Sequence, residues 1–87
     1  MKQYELLLIL IDEAAFPKIK EKYFNKFGIK VVKEDIWGIR KLAYPIKKQE
    51  AGFYICLEIT ISHGKLAEFR KQMELEDLVL RSAVFVD

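Results

Sequence analysis

The chain has 87 residues, 52% of them hydrophobic and 32% charged. That is enough for one small core and leaves no room for a second domain, while the apolar fraction excludes a disordered chain. The net charge of +2 excludes a uniformly basic nucleic-acid coat, and the single cysteine, Cys56, excludes an intrachain disulfide and a thiolate metal site and fits a reducing compartment.

The first element is the run QYELLLILI, Gln3 to Ile11, bounded by Asp12 and Glu13. Apolar residues fall on both sides of it, which predicts a central strand covered on part of both faces. Leu6 to Ile11 is far too short to span a membrane, and no small-residue cleavage site follows, so neither a membrane span nor a secretory signal is expected.

In AAFPKIKEKYFNKFG the spacing becomes helical. Phe16, Ile19, Tyr23 and Phe27 form one stripe, and Lys18, Glu21, Lys22 and Lys26 lie off it. Pro17 is tolerated only in a first turn, and Gly28 suits a C-terminal stop. The following IKVVKEDIWGIRKLAYPI is β-branched and aromatic, with Gly38 marking a bulge or bend. KKQEAG, Lys47 to Gly52, reads as a turn.

FYICLEITI alternates: Phe53, Ile55, Leu57, Ile59 and Ile61 point one way, and Tyr54, Cys56, Glu58 and Thr60 the other. In SHGKLAEFRKQMELE, Ser62 is a candidate N-cap, with Leu66, Phe69 and Met73 on one stripe. LVLRSAVFV closes the chain as a strand.

The order is β-α-β-β-α-β. Both helical stripes must be buried on one face of one sheet, which with right-handed crossovers gives an α+β, ferredoxin-like fold over residues 1–87. Strands one and three are central. The second sheet face stays open and carries Tyr54, Cys56 and Glu58, with either Leu7 and Ile9 or Leu6 and Leu8 from strand one. An exposed apolar patch of this kind marks a protein contact.

Charge is distributed unevenly. Arg40, Lys41, Lys47 and Lys48 form a basic stretch with no acid between Gly38 and Gln49, whereas Glu74, Glu76, Asp77 and Asp87 face only Arg81. Catalytic constellations are missing. His63 is the only histidine and reads as a solvated residue at a helix start. No metal, EF-hand, dinucleotide or P-loop spacing occurs. IDEAAF after strand one is acidic and glycine-free, unlike the phosphate cradle of small ferredoxin-like phosphatases. No enzyme activity, cofactor, metal or small-molecule substrate is expected.

GIRKLAYPIKKQEAGFY resembles the family of small-subunit ribosomal protein six from bacteria and organelles. The shared features are Tyr4 and Glu5, then Gly38, Arg40, Lys41, Leu42, Ala43, Tyr44, Pro45, Ile46 and Lys48. They continue with Gly52, Phe53, Tyr54, Val79 and Arg81, so the resemblance spans the chain. It implies a structural, non-catalytic protein of a bacterial or organellar ribosome. Such a protein pairs with small-subunit ribosomal protein eighteen and binds the central domain of small-subunit ribosomal RNA.

Carried over by position, the resemblance implies RNA contacts at Lys2, Tyr4, Arg40, Lys41, Tyr44 and Arg81. It places the partner protein on the open face at Leu7, Ile9, Tyr54, Cys56 and Glu58. The chain departs from the pattern at Glu74, where many members are basic, and at Cys56, where an aromatic is common. Two other readings fit the same fold: an autonomous single-strand RNA binder of the RNA-recognition-motif type, and a ligand-sensing domain that dimerises through its sheet. The first calls for stacking aromatics on strands one and three, and strand one offers aliphatics.

Overall fold

The computed structural model describes residues 2–86. Strand β1 is Lys2–Leu10, β2 is Lys30–Ile46, β3 is Gln49–Ile61 and β4 is Val79–Val86. They form one antiparallel sheet in the order β2-β3-β1-β4. Helix α1, residues 15–27, lies between β1 and β2, and helix α2, His63–Leu75, between β3 and β4. This is the ferredoxin-like βαββαβ arrangement, with β1 and β3 in the centre.

Strand alternation decides which residues enter the core. Ile55, Leu57, Ile59 and Ile61 are fully buried, as the alternation of β3 predicts. Their partners across β1 bury with them, so Leu6, Leu8 and Leu10 join the helix-side core and Leu7 and Ile9 take the open face. Tyr4 shares the parity of Leu6 and is also buried.

Helix α1 runs from Ala15–Ile19 through a π-helical segment, Lys20–Phe24, to a last turn, Asn25–Phe27. The wider turn brings Phe24 into the core alongside the predicted stripe of Phe16, Ile19, Tyr23 and Phe27. Phe69 of α2 packs edge-to-face on Phe24 at 6.1 Å and on Phe27 at 5.7 Å. Each such pair adds about 0.5–1.5 kcal/mol beyond burial alone. Gly28 ends the helix with φ +65°, a left-handed cap. Ser62 sits at the N-cap of α2 but makes no side-chain capping bond.

β2 is a long edge strand broken three times by shifts of register against β3, at Val31/Lys33, Ile36/Gly38 and Lys41/Ile46. Gly38, at φ +85°, supplies the backbone for the second shift, as its place within a strand predicts. At the third, residues 42–45 lie opposite Glu50 alone, between the pairs Lys41–Ala51 and Ile46–Gln49. Pro45 therefore sits where no ladder donor is required.

The β2–β3 turn is shorter than the composition of KKQEAG predicts. Only Lys47 and Lys48 form it, at φ +49° and +66°, and Gln49 to Gly52 already belong to β3. The left-handed Lys47 is held from the far side: its Nζ donates to the carbonyls of Glu76 at 3.2 Å and Val79 at 3.0 Å. The hairpin tip is thereby fastened to the start of β4. Gly52 serves close approach rather than turning, since a Cβ there would lie 2.5 Å from Ile9 Cγ2.

Candidate nucleic-acid interface

The open face can be laid out in rows, because paired residues on neighbouring strands share a side. One row runs Gly38, Tyr54, Ile9, Arg81. The next runs Asp35, Cys56, Leu7, Ala83, and the third Lys33, Glu58, Glu5, Phe85. The face is therefore divided along the strands. Glu5, Asp35 and Glu58 surround Cys56 with only Lys33 among them. Burial, and then the carboxylates of Glu5, Asp35 and Glu58, push the Cys56 thiol above its ordinary pKa, so it stays protonated.

The other half is aromatic and basic. Trp37, left unpaired by the bulge at Gly38, lies nearly parallel to Tyr54, with centroids 6.3 Å apart and planes 11° apart. The Arg40 guanidinium lies over Trp37 at 5.7 Å, and Trp37 Nε1 donates to Asp35 Oδ2 at 2.9 Å. The chain from Leu42 to Ile46 bends back over the sheet. Leu42 and Leu80 bury Ile9 from the open side, with Ile46 and Tyr54 packed against them. Between this bend and the sheet is a cleft of about 220 Å³ lined by Ile9, Leu42, Ala43, Tyr44, Ile46, Tyr54 and Arg81.

Most of the expected contact residues lie on this face, with corrections. Ile9 is not part of an exposed patch; it is 6% exposed beneath Leu42 and Leu80. Tyr4 is no surface residue either: its ring is buried at 2% exposure, and its hydroxyl lies 3.3 Å from His63 Nδ1. Strand parity puts that ring among the helices, so it presents no face to a nucleic acid. The Lys2 side chain lies outside the described part of the structure. Arg40 pairs with Gly52 and faces the open side, whereas Lys41 pairs with Ala51 and projects to the opposite side.

Tyr44 is 82% exposed at the lip of the cleft, and Arg81 is exposed beside it. Leu7, Tyr54, Cys56 and Glu58 are half-buried on the open face. Among the described residues, no ion pair involves Arg40, Lys41 or Arg81, and no group of three or more His, Cys, Asp or Glu residues could hold a metal. The residues expected to contact RNA and those expected to contact a protein are not on separate surfaces. Tyr44 and Arg81 share one cleft with Ile9 and Tyr54. Sequence reasoning alone does not reach Trp37, Leu42 and Leu80 as site residues. For Trp37 the available signal is its place beside Gly38.

The model of the family described as ribosomal protein S6 matches residues 3–85. The chain belongs to the ribosomal protein S6 family. Relatives named small ribosomal subunit protein bS6 from Corynebacterium aurimucosum and Mycobacterium tuberculosis are each 37% identical to it over 90 residues, covering 97% of this chain and 94% of theirs. The protein of that name from Saccharopolyspora erythraea is 37% identical over 97% of this chain and 76% of its own length. A solved structure of 30S ribosomal protein S6 from Thermotoga maritima superposes with a TM-score of 0.79, covering 99% of this chain and 87% of that one. At 22% identity that likeness speaks for the S6 fold alone. It agrees with the strand order and helix placement described above.

Proposed function

We propose that this S6-family chain is a structural constituent of the small ribosomal subunit. In this reading it binds the central domain of small-subunit ribosomal RNA together with small-subunit ribosomal protein eighteen, on ribosomes of the bacterial cytoplasm. It acts in assembly and architecture, without catalysis. The observation that carries the RNA side is a pair of arginines without ion pairs among the described residues, Arg40 on one edge strand and Arg81 on the other, both on the sheet face whose cleft Tyr44 and Arg81 line. Arginine presents paired donors to phosphate oxygens and positions a protein on RNA without reading its sequence. Lys41, on the other side of the edge strand, adds a contact only to RNA that wraps that edge. The acidic rows around Cys56 and Leu7, with the exposed Phe85, are the protein side of the same face.

The test is the salt dependence of RNA binding by the pair of proteins. Removing one phosphate-binding cation should flatten the slope of log K against log salt by about 0.7–0.9. Replacing Arg40 and Arg81 by Gln should thus lower it by about 1.4–1.8. An unchanged slope removes both residues from the interface. Failure to co-sediment with small subunits, with protein eighteen present, overturns the functional reading itself.

A further inference from the structure

The cleft between Tyr44 and Tyr54 lies on the proposed RNA face, yet phosphate contacts alone do not explain it. Its floor is aliphatic, made by Ile9 and Leu42, both buried. One wall is Tyr54, buttressed from behind by the near-parallel Trp37 and, beyond it, Arg40. The opposite lip carries Tyr44, whose ring is 82% exposed although it belongs to a segment that bends back over the sheet. Arg81 stands at the mouth, and no acidic residue lines the space. An apolar cleft lined by two tyrosines and one arginine suits a planar ring joined to a phosphate.

We infer that this cleft takes one unpaired base of the RNA strand, stacked against Tyr44 and Tyr54 over Ile9 and Leu42, with Arg81 on the adjoining phosphate. The inference rests on the RNA-binding reading and adds its mode of contact. Size favours a single base: about 220 Å³ is below the roughly 300–1,000 Å³ of pockets that hold larger ligands. Unpaired nucleotides are what proteins splay onto aromatic rings and arginine planes, because in a duplex the base faces are already stacked on one another. Charge also separates this occupant from a peptide. Arg81 in the cleft, without an ion pair among the described residues, and Arg40 beyond Trp37 attract a polyanion and repel a basic segment, whose natural seat is the acidic half around Glu5, Asp35 and Glu58.

The experiment uses the full chain paired with protein eighteen. The probe is a central-domain RNA junction with 2-aminopurine at one unpaired position at a time. At one position the fluorescence should be quenched on binding, and the quench should persist in Tyr44→Phe and vanish in Tyr44→Ala. Tyr44→Ala should also weaken RNA binding roughly 5- to 150-fold, the loss that corresponds to one base–aromatic stack. The salt slope should be unchanged, since no charge is removed. Tyr44 is largely exposed, so the variant is expected to fold.

Affinity within twofold of the unaltered chain, with an unchanged fluorescence pattern, overturns the base-stacking inference. So does a Tyr44→Ala defect confined to binding of protein eighteen, which would give the cleft to a partner side chain. If Arg40→Gln and Arg81→Gln change the salt slope while Tyr44→Ala changes nothing, RNA binding stands and only the cleft inference falls. If the unaltered pair fails to bind the junction, both fall.

Discussion

Gly52→Ala tests how tightly β3 is pressed against β1 beneath the cleft. The new methyl carbon would sit 2.5 Å from Ile9 Cγ2, 3.3 Å from Leu80 Cδ1 and 3.4 Å from the Leu10 carbonyl oxygen. Carbon atoms in good contact lie about 3.5–4.0 Å apart, so the first overlap is about 1 Å. Ile9 cannot easily yield. Its Cγ2 is fixed by a stiff β-branched χ1, and the side chain is buried under Leu42 and Leu80. Overpacking of this kind costs about 1–3 kcal/mol. The lost freedom of glycine in the unfolded chain returns about 0.4–1 kcal/mol. The net expectation is a loss of about 1–2 kcal/mol. With a urea m-value near the low end for small domains, about 1 kcal/mol per molar, the unfolding midpoint falls by about 1–2 M. Ile9→Ala alone should cost about 2–5 kcal/mol by leaving a cavity. In that background Gly52→Ala should cost nothing or stabilise, giving a coupling of about 1–3 kcal/mol in the double-mutant cycle. Equal losses in both backgrounds, or a Gly52→Ala midpoint at or above that of the unaltered chain, would refute the reasoning.

Two further perturbations test other parts of the frame. The Tyr23 hydroxyl, and then Lys22, hold the Glu76 carboxyl below its ordinary pKa. A lowered folded value means that its stabilisation is present above the ordinary carboxylate pKa and is lost as pH falls through the folded value. Glu76→Gln should therefore cost about 1–2 kcal/mol at neutral pH and flatten the acid limb of a stability–pH curve; an acid limb as steep as before would count against this network. Lys48 sits at φ +66° in a two-residue turn, a conformation that costs a side-chain-bearing residue about 1–2 kcal/mol. Lys48→Gly should be neutral or stabilise by up to about 1 kcal/mol in thermal melts, and a clear loss would show that the Lys48 side chain contributes contacts of its own.

The architecture was legible because the apolar periods are clean. The alternation of β3 orients every residue from Phe53 to Ile61, and the stripe of Phe16, Ile19, Tyr23 and Phe27 is buried as read. β1 is apolar on both sides, so its orientation was open until pairing with β3 fixed Leu6, Leu8 and Leu10 inward. That same parity carries Tyr4 inside, a consequence that no local pattern around Tyr4 reveals. The burial of Ile9 was illegible for a different reason. Its cover comes from Leu42 and Leu80, both at breaks in strand register, and such breaks depend on how separate strands fit together. The turn was overestimated because Gln49, Glu50, Ala51 and Gly52 have turn composition, yet the register pairs Ala51 and Gly52 with Lys41 and Arg40. The cleft itself joins residues from all four strands or their ends, and no single stretch announces it.

The broken register of β2 has a consequence for how copies of this chain avoid one another. Its outer edge carries exposed Val32, Ile36, Trp37 and Ile39, the composition of a segment that recruits further strands into aggregates. Continuous pairing with β3 comes in three short stretches, Lys30–Val31, Lys33–Ile36 and Gly38–Lys41, before the strand is displaced. A neighbouring molecule seeking to extend the sheet meets short, mutually offset ladders that carry the charges of Lys33, Glu34, Asp35, Arg40 and Lys41. The same irregularities that fold the strand back over the sheet deny a straight template to self-assembly, so a sticky edge can stay exposed at low risk.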